Sequence, residues 1–275
     1  MNIGITGQSG FIGSYLTKHI KYKNEEFKII SFNRDFFDSQ LKLNNFVKKV
    51  DVLIHLAGLN RHKSQNYIFE KNLELARKLI SSLESTNSRP HLIFASSTQE
   101  SQNNKYGRSK LECKVIFEDW SKRNKGKVST LIIPNVFGPF CKPFYNSVVA
   151  TFCHQIANYL KPKIKIDKNI ELIYVGDLVN IIIDACKKND SGSTITKIID
   201  PSEKIKVSNL LKILLDYKDL YCEKGEIPDL NNDFKKNLFI TFITYLKFEK
   251  FFPFNFTVKS DSRGSFTELM RSYSS

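Results

Sequence analysis

The run Asn2-Ile3-Gly4-Ile5-Thr6-Gly7-Gln8-Ser9-Gly10-Phe11-Ile12-Gly13 decides how the rest of the chain is read. Asn2–Thr6 has the composition of a short strand, the glycines make a turn, and Ser14–Tyr22 continues as a helix. Strand, glycine turn and helix in that order turn a glycine pattern into a dinucleotide-binding signal. Gly7 permits the tight turn, Gly10 lets the backbone approach a pyrophosphate, and Gly13 lets helix and strand pack closely. The helix N-terminus then meets the phosphates, and Phe11 and Ile12 within the turn are expected cofactor contacts. The spacing is Gly-x-x-Gly-x-x-Gly rather than Gly-x-Gly-x-x-Gly.

Outward from this run, strands and helices alternate. Phe27–Phe32 reads as the second strand, and its end is where an acidic residue commonly accepts from the adenine ribose. Here stand Asn33 and Arg34. A guanidinium can grip a 2′-phosphate bidentately, so the expected cofactor is NADP(H). Val50–Leu56 is a near-continuous apolar run, as in a strand buried on both faces of a parallel sheet. Leu56, Ala57 and Gly58 leave its carboxyl end beside the cofactor, followed by Asn60, Arg61 and His62; taken alone, His62 reads as a loop histidine.

The amphipathic stretch Gln65–Glu84 precedes a strand at Leu92–Ala95 and the hydroxyls of Ser96, Ser97 and Thr98. Side chains just past a central strand lie at the crevice where doubly wound sheets bind ligands. Tyr106-Gly107-Arg108-Ser109-Lys110 opens the next helix, which runs to about Lys122. A four-residue spacing puts Tyr106 and Lys110 on one helical face. A tyrosine hydroxyl is a poor acid or base at neutral pH, and a neighbouring ammonium favours its ionised form, so the pair is a candidate acid/base device. Lys127–Ile133 is another strand, with Pro134 and Asn135 in its exit loop.

The expected fold is α/β, a Rossmann-like doubly wound parallel sheet with a smaller C-terminal substrate-binding region. Residues 1–140 form the NADP-binding domain. Residues 141–260 form mostly the substrate region, with segments returning to the sheet: helices at Ser147–Tyr159, Asp177–Lys187 and Val207–Tyr217, a strand near Ile170–Val175 and an aromatic-rich segment from Leu238 to Phe256.

Composition narrows the function classes. A formal charge of +14 invites a nucleic-acid reading, yet most of the 42 basic residues are lysines spread along the chain, and no nucleic-acid-binding signature accompanies them. An anionic small-molecule substrate remains compatible, and no nucleic-acid partner is expected. No apolar run reaches the ~18 residues of a membrane span. No secretion signal is read either, so a cytoplasmic protein without a membrane partner is expected. Five scattered cysteines without a Cys-x-x-Cys read as reduced thiols, and no metal site is expected.

The order Thr6-Gly7-x-x-Gly10-x-x-Gly13, Leu56-Ala57-Gly58, Ser96-Ser97, Tyr106-x-x-x-Lys110 and Pro134-Asn135-Val136-Phe137-Gly138 resembles the extended short-chain dehydrogenase/reductase family (the NAD-dependent epimerase/dehydratase superfamily) across essentially the whole chain. Within it, His55–Arg61, Cys141–Ser147 and Ala150–Cys153 are similar to the bacterial capsular-polysaccharide reductases that act on UDP-2-acetamido-2,6-dideoxy-hexos-4-ulose. The resemblance implies hydride delivery from NADPH to the 4-keto carbon, on the way to N-acetyl-L-fucosamine for capsule or O-antigen. It implies that Tyr106 protonates the new alkoxide, Lys110 holds the nicotinamide ribose, and Ser97 hydrogen-bonds the carbonyl oxygen. Asn60, Arg61, Ser97, Asn135, Lys142 and Asn146 are the expected contacts of the UDP-sugar, and a homodimer is expected.

Three departures bear on this. An arginine common in the family three residues before Asn135 is Ile132 here. Gly176 stands where an acidic residue is common, with Asp177 left to cap the next helix. Residues 261–275 read as the start of a metal-binding cupin, with Arg263-Gly264-Ser265-Phe266-Thr267-Glu268 as its opening, so the chain is expected to reduce an already epimerised sugar without a metal. A 4,6-dehydratase would place Asp-Glu after the catalytic hydroxyl, where Thr98-Gln99 stand. A nucleotide-sugar 4-epimerase would keep NAD and the acidic residue that Asn33-Arg34 replace. A non-catalytic NADP sensor or RNA-binding member would lack the Tyr-Lys pair.

Overall fold

The computed structural model describes residues 1–23, 26–187, 194–251, 253 and 255–272. Its strands are β1 (Asn2–Thr6), β2 (Lys28–Ile30), β3 (Val52–His55), β4 (His91–Ser97), β5 (Val128–Ile133), β6 (Asn135–Phe137), β7 (Asn169–Tyr174), β8 (Thr194–Ile198) and β9 (Glu203–Lys206). The helices that matter for the site and the two cores are α1 (Phe11–Lys23), α2 (Gln40–Val47), α3 (Gln65–Ser85), α4 (Lys105–Asn124), α5 (Val148–Ala157), α6 (Val175–Lys187), α7 (Val207–Tyr217) and α8 (Asp233–Ile243).

The chain divides into two compact units, residues 1–134 with 175–200, and residues 135–174 with 201–275. The first holds a six-stranded sheet in the order β2-β1-β3-β4-β5-β8, parallel throughout. This is the Rossmann-like doubly wound architecture. Strand order reverses between β1 and β3, so the crevice for a ligand opens at their carboxyl ends, at Thr6-Gly7 and Leu56-Ala57-Gly58. Burial explains the strand composition: Val52, Leu53, Ile54 and His55 are all buried, as both faces are covered. On one face Phe37, Phe46, Leu53, Leu79, Phe94, Phe117 and Trp120 belong to one apolar cluster with α2, α3 and α4. The alternate residues Ile3, Ile5 and Ile54 are buried outside that cluster, on the face where α1 and α6 lie together.

The second unit has a sheet in the order β6-β7-β9, with β6 and β7 parallel and β9 antiparallel. Phe137, Phe152, Leu172, Leu210, Leu214, Leu238 and Phe242 form its core. Val258–Asp261 and Gly264–Thr267 make an antiparallel hairpin.

Several local expectations change. The exit loop after Pro134 is itself a short strand, because Asn135–Phe137 finds β7 as a partner. Helix α1 begins at Phe11, three residues before Ser14, so Phe11 and Ile12 occupy its first turn. Asp177 is not the cap of α6. The helix starts at Val175 directly from β7, which puts Asp177 inside the first turn, where a carboxylate still complements the exposed amides. In the aromatic-rich segment, Phe252 and Phe254 lie outside the described residues, as do residues 273–275 of the C-terminal stretch. All five cysteines are buried and unpaired, and burial raises each thiol above its ordinary range. Among the described residues no helix is long and apolar enough to cross a membrane.

Candidate active site

The glycine turn is built for close backbone contact. Gly7 has φ +78°, a left-handed conformation costly for other residues, and a β-carbon there would sit 2.8 Å from the Ala57 nitrogen. A β-carbon at Gly13 would lie 2.3 Å from the Gly7 oxygen, so α1 presses directly on the turn. Gly10 donates to the Gly7 oxygen at 2.9 Å, is exposed, and offers its outer side to a ligand. These features form a cradle that a side chain would fill, and they fit a dinucleotide's pyrophosphate.

The β3 exit loop abuts this turn. Leu56 N donates to the Thr6 oxygen at 3.1 Å and Ala57 N to Thr6 Oγ1 at 3.4 Å. Thr6 Oγ1 also bonds His55 Nδ1 at 2.7 Å, across paired positions of β1 and β3. Phe37, Phe94 and Phe117 surround the His55 ring. Desolvation, then the Lys110 charge, lower its pKa to about 3, so His55 is neutral at physiological pH.

Lys110 joins three segments. It is 6% exposed, and its Nζ donates to the Ala95 carbonyl at 2.8 Å. The same ammonium lies 5.0 Å from the Phe94 ring centre and 5.8 Å from that of Tyr106. A β-carbon at Gly58 would be 3.5 Å from it, which places Lys110 beside the β3 exit loop. Tyr106 is half-buried in the first turn of α4, whose start is set by Asn104 Oδ1 accepting from Gly107 N at 2.7 Å.

Ser97 ends β4 and caps the short 3-10 turn Thr98–Ser101, its Oγ accepting from Gln99 N at 3.2 Å. That bond uses a lone pair, so the Ser97 hydroxyl proton is left to donate elsewhere. Ser96 faces another way, donating to Glu100 Oε2, and Glu100 pairs with Lys114 at 3.6 Å.

The remaining expected residues are spread more widely. Arg34 is exposed at the start of a 3-10 turn, Arg34–Asp38, after β2. Asn60 is half-buried and Arg61 exposed beyond Gly58. His62 is a structural loop residue: its Nδ1 accepts from Ser64 N at 3.1 Å, and its ring lies 4.4 Å from that of Tyr67. Pro134 is buried at the end of the first unit. Ile132 is half-buried within β5, between Ser96 and Ile198. In the second unit Asn135 Nδ2 donates to the Glu171 carbonyl at 3.1 Å. Lys142 is exposed, 5.6 Å from the Tyr145 ring centre, and Asn146 is left-handed with φ 58°.

Sequence reasoning passed over Asn72. Its Oδ1 accepts from Leu59 N at 2.6 Å, and its Nδ2 donates to the Leu59 oxygen and to Ser109 Oγ, both at 2.9 Å. One buried amide thus ties the β3 exit loop to α3 and α4. The signal was available, since Asn72 falls on the apolar stripe of α3 between Ile68 and Ala76.

The profile of the NAD dependent epimerase/dehydratase family matches residues 3–198. The chain belongs to that family. Its similarity to a member described as UDP-2-acetamido-2,6-beta-L-arabino-hexul-4-ose reductase, from Pseudomonas aeruginosa, is 27% identity over 272 residues, covering 98% of this chain and 72% of the relative. Among solved structures of the family's fold, capsular polysaccharide assembling protein CapF from Staphylococcus aureus superimposes with a TM-score of 0.79 at 28% identity, over 98% of this chain and 72% of that one. RMD from Pseudomonas aeruginosa, complexed with NADPH, gives 0.75 at 17% identity over 89% and 98%, and shares the fold.

Proposed function

We propose that this chain is an NADPH-dependent reductase of the 4-keto group of a UDP-2-acetamido-2,6-dideoxy-hexos-4-ulose, serving N-acetyl-L-fucosamine supply for surface polysaccharide. The observation that carries the reading is the buried Lys110 ammonium, 5.8 Å from the Tyr106 ring centre, on a helix joined to the Ser97 turn. The relative described as a reductase of a UDP-keto sugar supports the substrate class.

Gly7, Gly10, Phe11, Ile12 and Gly13 would hold the cofactor's pyrophosphate, Leu56, Ala57, Gly58 and Pro134 its flanks, Lys110 the nicotinamide ribose, and Arg34 the 2′-phosphate. Bound there, the cofactor supplies a hydride. The protein's own part is to manage charge on the carbonyl oxygen. Ser97 donates a hydrogen bond to that oxygen, and Tyr106 hands it a proton as it becomes an alkoxide. Lys110, fixed by the Ala95 carbonyl, stabilises the tyrosinate left behind. His55, held neutral, adds no second positive charge beside Lys110. Asn60, Arg61, Asn135, Lys142 and Asn146 are assigned to the UDP-sugar.

The test is NADPH consumption against a panel of UDP-4-keto sugars, with the corresponding UDP-hexoses as controls. Oxidation that requires the ketone supports the reading. Interconversion of 4-epimers without net NADPH use would replace it with an epimerase.

A further inference from the structure

We propose that Lys42 is a specificity-determining residue for the cofactor, acting by neutralising Asp35; this rests on the assignment of NADPH above. A carboxylate at the exit of the second strand accepts from a ribose 2′-hydroxyl and repels a 2′-phosphate. This chain has such a carboxylate. Asp35 directly follows Arg34, and both are exposed in the first turn of the 3-10 segment. The chain two residues before that segment is tied to the glycine turn, because Gln8 donates from Nε2 to the Phe32 carbonyl at 2.6 Å. On that bond, and on its place next to Arg34, we assign Asp35 to the adenine ribose end, where it would oppose Arg34.

What offsets it comes from the next helix. Lys42 Nζ lies 2.6 Å from Asp35 Oδ2, reaching back from α2, whose start is set by Ser39 Oγ accepting from Lys42 N at 3.4 Å. The arrangement does two things at once. It cancels a negative charge near the place assigned to the 2′-phosphate, and it occupies the carboxylate that would otherwise compete for the adjacent guanidinium. The pair is 56% and 55% exposed, so it contributes little to folding, and its consequence is on the local field.

The experiment measures NADPH and NADH dissociation constants for the wild type, Arg34→Ala, Lys42→Ala, Asp35→Asn and the Lys42→Ala/Asp35→Asn double variant, with melting curves as a folding control. Lys42→Ala is expected to weaken NADPH by roughly two- to fivefold without weakening NADH, and to do so less at high salt. Asp35→Asn in that background should restore NADPH binding. A loss on Lys42→Ala that is the same whether Asp35 is kept or replaced would overturn the proposal, because Lys42 would then contact the phosphate directly; so would no loss at all. A wild type that binds both cofactors equally and is indifferent to Arg34→Ala would instead remove the NADPH assignment on which the proposal rests.

Discussion

The carbonyl oxygen of Gln99 lies 1.9 Å from where a β-carbon on Gly107 would be, so only glycine lets the Ser97 turn dock on the helix of Tyr106. Gly107→Ala must push the two apart, and catalytic groups misplaced by about 1 Å lose on the order of 100-fold in rate. The expected outcome is a fall in kcat much larger than the loss of NADPH affinity, since Lys110 shares this helix but the glycine cradle lies elsewhere. Steady-state kinetics and cofactor titration check it. Wild-type kcat would mean that Ser97 and Tyr106 do not act together.

Tyr106 and Lys110 separate by what each touches. Tyr106→Phe removes only the hydroxyl and should lower kcat by roughly 10²- to 10⁴-fold with cofactor affinity preserved. Lys110→Ala also empties the space between Ala95, Phe94 and the β3 exit loop, so it should weaken cofactor binding as well as turnover. Equal, small effects from the two changes would dismiss the pair as catalytic groups.

Two buried histidines make the fold sensitive to acid. Desolvation lowers His55 to about 3 and His91 to about 4, from 6.5, and positive neighbours add to both shifts. The unfolded chain therefore binds these protons first as pH falls. The stability from keeping each ring neutral is complete above 6.5 and is lost on descent toward 4 for His91 and 3 for His55. Each contributes a slope of about 1.4 kcal/mol per pH unit inside its window. Denaturant titrations between about pH 6.5 and 5 should show this decline, and His91→Gln should remove about one proton from the slope. An unchanged slope would mean that His91 is protonated in the native state.

The sheet was legible where strands are buried on both faces. Val52–His55 gives a continuous apolar signal because helices cover it twice. Thr194–Ile198 was not legible, since it is an edge strand exposed along its length, with no pattern to betray it. The short α2, which carries Lys42, is announced only by the Ser39 cap and three buried apolar residues. The same division holds for the site. Tyr106 and Lys110 share a helix face, so their spacing carries their relation, and the glycine turn is likewise local. The contacts of Gly107 with Gln99, of Asp35 with Lys42 and of Asn72 with Leu59 and Ser109 depend on tertiary placement.

Asn72 offers the strictest test of how the β3 exit loop is held. Its amide supplies an acceptor for Leu59 N and donors for the Leu59 oxygen and Ser109 Oγ, the last bond buried and the two to Leu59 partly buried. Asn72→Leu keeps the volume but leaves both polar groups of the Leu59 backbone without this partner, at a cost of about 1–3 kcal/mol for each group left buried and unsatisfied. Asn72→Asp keeps the acceptor for Leu59 N and replaces the two donated bonds with a carboxylate facing a carbonyl. Both variants should melt earlier and raise the KM for cofactor, because Ala57 and Gly58 ride on the same loop. Asn72→Asp should do worse at neutral pH and improve as the solution is acidified, since a protonated carboxyl regains one donor. Paired melting curves and cofactor titrations at neutral and mildly acid pH separate the effects. If Asn72→Leu retains wild-type cofactor affinity, the loop is held by the Thr6 contacts alone, and Asn72 serves only the packing of α3 on α4.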